Sequence, residues 1–305
     1  MKQHHCHILS LLLVLLLVSC GQSYEQKQRI TRAQQLEVAR RDSASLKIAT
    51  TPTMDCLPLF IGCEDSAFQA HGVDVHLRMR TSQLDGDTLI EGGYVEGFVT
   101  DLIRAERLQK RGTPLRYVAA TNAYWQLITS RLARVKELKQ MSDKMIAMTR
   151  YSATDYLAQL AVDSVRPQHE VYRVQINDVH IRLRMLLNNE LDAALLTEPQ
   201  ATQARLYKNP VLMDSRDKGF HPGVIAFRDK ALKDKTRQQQ LKRFIEVYNA
   251  QCDSINKNGV RHYALIIEKY MIVSPKALAQ MPDLKYRHAA APRPQDVARA
   301  RRHWN

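Results

Sequence analysis

From Leu46 onward the chain alternates short apolar runs with amphipathic stretches. Residues 46–50, 73–79, 95–101, 115–119, 124–129, 145–148, 171–176, 191–198 and 224–227 read as strands, several apolar enough to be buried on both faces. Helical spacing predicts helices over 57–70, closed by His71-Gly72, and over 102–109, 179–188 and 260–270. Another is expected over 237–256, with Leu241, Phe244, Ile245, Tyr248 and Cys252 on one face, and a short basic one over 296–304. Strands alternating with helices predict an α/β protein with a largely parallel sheet.

The pattern is clearest at 144–160, KMIAMTRYSATDYLAQL. Met145 to Met148 form a buried strand, small hydroxyl residues break it, and a helix follows with Ser152 as N-cap. Such a helix start leaves N–H groups unpaired beside a partial positive charge, and suits a carboxylate, sulfonate or phosphate. The plan of strand, helix and acidic-tipped strand occurs twice. It ends at Val95-Glu96-Gly97-Phe98-Val99-Thr100-Asp101 and at Leu191-Asp192-Ala193-Ala194-Leu195-Leu196-Thr197-Glu198. The repeat predicts two similar lobes.

The N-terminus departs from this pattern. Lys2 precedes an apolar segment over 8–18 that is too short to span a membrane and has the proportions of a signal peptide. It ends in Leu17-Val18-Ser19-Cys20-Gly21, which resembles the bacterial lipobox. That likeness implies cleavage after residue 19, lipidation of Cys20 and a membrane anchor. Net charge is +14, which alone would suggest nucleic acid. An exported chain meets none, so the charge is assigned to solvated surface, anionic lipid or an acidic partner. Six Lys or Arg against one Asp over 285–305 supply part of it. Cys56, Cys63 and Cys252 leave an odd number of thiols beside Cys20, and no Cys/His spacing suggests a metal.

Taken in order, the pieces resemble a substrate-binding protein of an ABC importer, of the branch that serves alkanesulfonates, nitrate and thiamine-precursor pyrimidines. The matching places are 46–52, 95–101, 144–155 with its lead from Leu138 but no glycine before Lys144, 190–199, and the ending over 289–304. The resemblance implies two Rossmann-like lobes of the type II periplasmic-binding-protein kind, joined by strands crossing near 128–132 and 221–227 and closing like a hinged trap. The expected organisation is a leader at 1–19, then a tether with a short helix from about Thr31 at 20–45. Lobe 1 follows at 46–130 and 228–305, and lobe 2 at 131–227.

Ligand contacts carried over by position are Thr51, Thr53, Thr100, Asp101, Asn122, Tyr124, Trp125, Ser152, Ala153, Thr154 and Glu198. Asp101 reads equally as the cap of the helix over 102–109, Glu198 as a fixture beside Pro199, and Trp125 as core. Were both acids to face the cleft, the ligand would carry an amino or cationic end. Were the helix start also engaged, it would carry an anionic one. The implied role is a lipid-anchored, extracytoplasmic receptor handing a small polar solute to a permease and its ATPase, with no cofactor, metal or catalysis. An enzyme on the same fold, or an envelope lipoprotein without a ligand, are the alternatives. No nucleophile elbow, H-E-x-x-H or P-loop motif supports the first of these.

Overall fold

The computed structural model describes residues 24–304, so the expected leader and the expected lipidation at Cys20 lie outside the described residues. The chain divides into two units between Ser45 and Leu46. Among the described residues the first holds one helix, α1 (Tyr24–Ala44), of 21 residues. It begins earlier than the expected start near Thr31, because Glu, Gln, Arg and Ala without Gly or Pro favour helix throughout. Glu37 accepts from Arg40 at 2.9 Å and Arg41 at 3.0 Å, the spacing at which helix side chains meet.

The second unit carries two five-stranded sheets of the same design. The first contains β1 (Leu46–Thr50), β2 (Val75–Met79), β3 (Gly97–Asp101) and β4 (Leu115–Ala120). Between β3 and β4 lies β10 (Gly223–Arg228), antiparallel to both, giving the order β2-β1-β3-β10-β4. The second contains β5 (Gln126–Thr129), β6 (Met145–Met148), β7 (Tyr172–Gln175), β8 (Ala193–Leu196) and β9 (Val211–Asp214), ordered β7-β6-β8-β5-β9. Here β5 is the antiparallel strand, between β8 and β9. Each sheet therefore has four strands that run one way and a fifth, β10 or β5, that runs the other way and enters directly after a crossing from the other lobe.

The crossings are residues 121–125 and 215–222, earlier than expected in both cases. They are tied together: Ser215 N donates to Trp125 O at 2.9 Å, and Thr121 N to Gly223 O at 2.9 Å. The expected lobe boundaries at 130 and 227 accordingly fall one strand late, since β5 belongs to the second sheet and β10 to the first. A strand buried on both faces reads the same whichever sheet it joins. The expected helix over 57–70 is two, α2 (Leu57–Glu64) and α3 (Ala67–Ala70), parted by Ser66 in the left-handed region at φ 54°. Strand β9, four residues long, is absent from the pattern-based reading.

Helices flank both sheets: α4 (Gln83–Glu91) and α5 (Leu102–Lys110) in the first lobe, then α6 (Ala153–Val165), α7 (Val179–Leu187) and α8 (Gln200–Leu206) in the second. Their starts follow capping chemistry, with Ser82, Asp101, Ser152 and Asp178 accepting amides of the first turn. The long α9 (Lys235–Asn258) buries Phe244, Val247, Tyr248, Cys252 and Ile255 in the first lobe. Phe244 stacks on Phe68 at 5.5 Å and meets Phe227 edge-on at 5.8 Å. Helices α10 (Ala264–Met271) and α11 (Pro275–Ala279) complete that core, and a strap over 280–293 leads to α12 (Pro294–His303). Arg301 of α12 pairs with Glu106 of α5 at 3.1 Å, while Arg299 donates to the Tyr156 hydroxyl of α6 at 2.7 Å, so α12 rests on both lobes.

Gly97 on β3 faces Phe227 on β10, and an added Cβ there would lie 2.8 Å from the Phe227 ring. Gly97→Ala is expected to lower stability by about 1–3 kcal/mol in urea unfolding, as overpacked cores do. The double variant with Phe227→Leu should lose less than the sum of the two single losses.

Candidate functional site

Loops at the C-terminal ends of strands from both sheets meet in a narrow interlobe cavity, where α/β folds place ligands. Thr51 and Thr53 follow β1, and Gln83 opens α4. Trp125 lies on the first crossing. From the second lobe come Thr149 after β6, Thr154 in the first turn of α6, Asn177 after β7, Arg182 on α7, and Thr197 and Gln200 beyond β8. The lining is mainly hydroxyl and amide, with Trp125, Val179, Leu195 and Leu196 as its apolar members. Its volume is only ≈ 20 Å³, about the room one water requires.

The narrowness follows from bonds made directly between the lobes. Met54 N donates to Glu198 O at 2.9 Å, Gln200 Nε2 to Pro52 O at 3.0 Å, and Val179 N to Thr81 O at 3.2 Å. The fourth such bond is the most buried: Ala153 N, in the first turn of α6, donates to Asp101 Oδ1 at 2.9 Å. The same oxygen accepts Arg104 N of α5 at 3.0 Å. One carboxylate thus caps helices from both lobes. Beside it, Arg104 is wholly buried and forms a two-pronged pair with Asp87, and it also reaches Arg150 O at 3.4 Å.

Of the residues expected at the site, Thr51, Thr53, Trp125 and Thr154 line the cavity, and Thr51 and Thr53 hydroxyls bond each other at 2.9 Å. Ser152 is buried at the helix start, donating to Thr149 O at 2.7 Å and accepting Thr154 N at 3.0 Å. Ala153 is committed to Asp101. Thr100 is buried off the cavity, its hydroxyl unpartnered. Asn122 borders a different cavity beside the crossings. Tyr124 donates to Glu198 Oε1 at 2.6 Å, with the Arg216 guanidinium 3.7 Å over its ring.

The expectation that Asp101 and Glu198 present negative charge to a ligand is not met by this geometry. Neither lines the cavity. Glu198 is saturated by Tyr124, by Thr202 N at 2.9 Å and by Arg205 at 2.7 Å, so it caps α8. Asp101 is fully buried, and its Oδ2 has no partner. Burial pushes its pKa up to about 7, opposed by the Arg104 charge and the two amides.

The residue that pattern reading missed is Arg182. It is 3% exposed and lines the cavity. Its guanidinium donates to Ile176 O at 3.0 and 2.6 Å, to Leu195 O at 2.9 Å and to the Thr149 hydroxyl. No ion pair holds it among the described residues. Burial lowers its pKa to about 10, and Asp178 opposes this only through space. Val179, Arg182, Leu183 and Leu186 share one helix face, so a cation within an apolar stripe was the available signal.

No protein-family model matches the chain, and no curated protein matches it in sequence. Solved structures do match in fold. A ligand-binding component of an ABC-type import system from Staphylococcus aureus, solved with zinc bound, superposes with TM-score 0.70 at 13% identity, covering 84% of this chain and 89% of that one. The periplasmic aliphatic sulphonate-binding protein SsuA from Escherichia coli gives 0.67 at 10% identity, covering 85% and 90%. The periplasmic nitrate-binding protein NrtA from Synechocystis gives 0.66 at 12%, covering 83% and 74%. The chain has the two-lobed fold of periplasmic binding proteins.

Because the pKa of Asp101 is raised in the folded protein, its charged form weakens the fold, fully above about pH 7 and not at all below its ordinary value of 3.8. Stability relative to Asp101→Asn is expected to fall as pH rises from about 4 to about 7 and then level off. Urea midpoints of both proteins at pH 4.5, 6 and 8 read this directly.

Proposed function

We propose that the protein is the solute-binding component of an ABC importer and that its solute carries a compact anionic group, sulfonate or carboxylate, bound against Arg182. The observation that carries the proposal is a buried guanidinium on the cavity wall with no carboxylate partner. An ion taken out of water without a counter-ion costs several kcal/mol, and an anionic solute supplies the missing charge. The hydroxyls of Thr51, Thr53 and Thr154 and the amides of Asn177 and Gln200 provide further polar contacts. The buried Gln200 Oε1, which has no partner, adds an acceptor. An amino or cationic end finds no unspent acid on the wall.

A cavity of ≈ 20 Å³ admits such a solute only when the lobes part, exchanging the cross-lobe bonds for contacts with the solute. Lipidation at Cys20, an extracytoplasmic location and delivery to a permease and ATPase complete the reading. They rest on the lipobox likeness and on the fold shared with import-system proteins.

Calorimetry of the full chain against ethanesulfonate, taurine, nitrate, acetate and an aminopyrimidine tests the proposal. An anionic solute is expected to bind and, in small-angle scattering, to shift the balance of open and closed lobes. Arg182→Gln, checked for folding by circular dichroism, should weaken binding by about 10- to 100-fold, the range of a charged hydrogen bond. Binding of the aminopyrimidine alone would overturn the anionic reading.

A further inference from the structure

The crossings border more than the interlobe cavity. On the side facing the strap over 280–293 lies a second cavity of ≈ 260 Å³, more than ten times the first. Three separate parts of the chain wall it. Ala120, Thr121 and Asn122 come from the end of β4 and the first crossing, and His221 from the second. Lys285, Arg287, Arg293 and Asp296 come from the strap and the start of α12.

Its charge is one-sided. Asp296 is the only acid on the wall and is spent on Arg293, accepting Nε at 2.6 Å and Nη2 at 2.9 Å. Lys285 and Arg287 have no ion pair among the described residues. The buried Asp55 behind the wall is already engaged by the Thr121 hydroxyl at 3.2 Å. Asn122 closes the back of the wall, where its side chain meets the Tyr286 hydroxyl, which in turn donates to Met54 O at 2.8 Å. The positive field reaches His221, whose pKa is lowered by burial and then by Arg293.

We propose that this cavity is a second binding site, for a phosphate-type oxyanion, free or carried on a small headgroup. Lys285 and Arg287 supply the charge that the wall leaves uncompensated. Guanidinium edges are donors that match oxyanion geometry. Both crossings contribute to the wall, so its shape changes when the lobes swing about them. An oxyanion held here biases the equilibrium between open and closed lobes. The binding claim is independent of the transport reading, and only the bias rests on it.

Inorganic phosphate titrated into the full chain by calorimetry is the test, with sedimentation on phosphatidic acid vesicles as the headgroup arm. Wild-type protein and the cleft variant Arg182→Gln are expected to bind one or both probes alike. Lys285→Gln/Arg287→Gln, at exposed positions, should bind at least tenfold more weakly with an unchanged circular dichroism spectrum. Equal binding by that double variant, or no binding of either probe by wild-type protein at millimolar phosphate, would overturn the proposal. Loss of phosphate binding in Arg182→Gln with retention in the double variant would also overturn it, by placing the anion in the cleft.

Discussion

Among the bonds between the lobes, one oxygen is shared by a helix from each. Asp101 ends β3, and its Oδ1 takes an amide from the first turn of α5 and another from the first turn of α6. Both helix starts carry partial positive charge, and bringing two such ends together would be unfavourable without an acceptor between them. The chain places its own carboxyl oxygen there, although burial, with the other oxygen unpartnered, disfavours the charged form. The helix start that suggested a seat for an external anion is thus filled from within, and the buried charge without an ion pair lies elsewhere, on Arg182.

Buried charge is distributed unevenly around this point. Asp87 with Arg104 and Glu198 with Arg205 are paired. Asp101 is tempered by amides, and Arg182 only by carbonyl and hydroxyl oxygens. Paired groups stiffen the walls, whereas an unpaired one waits for a partner. This ordering, more than pocket size, underlies the proposed division between structural polar residues and Arg182.

Much of the fold was legible because its signals are local. Ser152, Asp178, Asp234 and Ser274 cap helices as their residue types demand, and the strand–helix alternation sets the class. Sheet membership is not local: Leu127 and Ile128 are fully buried in the second sheet, but nothing in their neighbours says which sheet they join. Thr51, Thr53, Trp125 and Thr154 fall on the cavity wall because loops after parallel strands converge with the first crossing. The failures share one cause. Asp101 and Glu198 are acids at helix starts, where sequence does not distinguish a cap from a ligand contact, and Arg182 sits in a helix where a cation ordinarily reads as solvated face.

The interleaved strand order also dictates a timetable for assembly. The second sheet is built from one uninterrupted stretch, 126–214, and is complete as soon as that stretch exists. The first sheet lacks the strand between β3 and β4 until residues 223–228 appear, and much of its apolar cover until α9 follows. A nascent chain therefore passes through a stage with one finished half and one gapped half, whose bare strand edges invite mispairing. Any chaperone that escorts this polypeptide has its work at the earlier-made half, which is the later one to close.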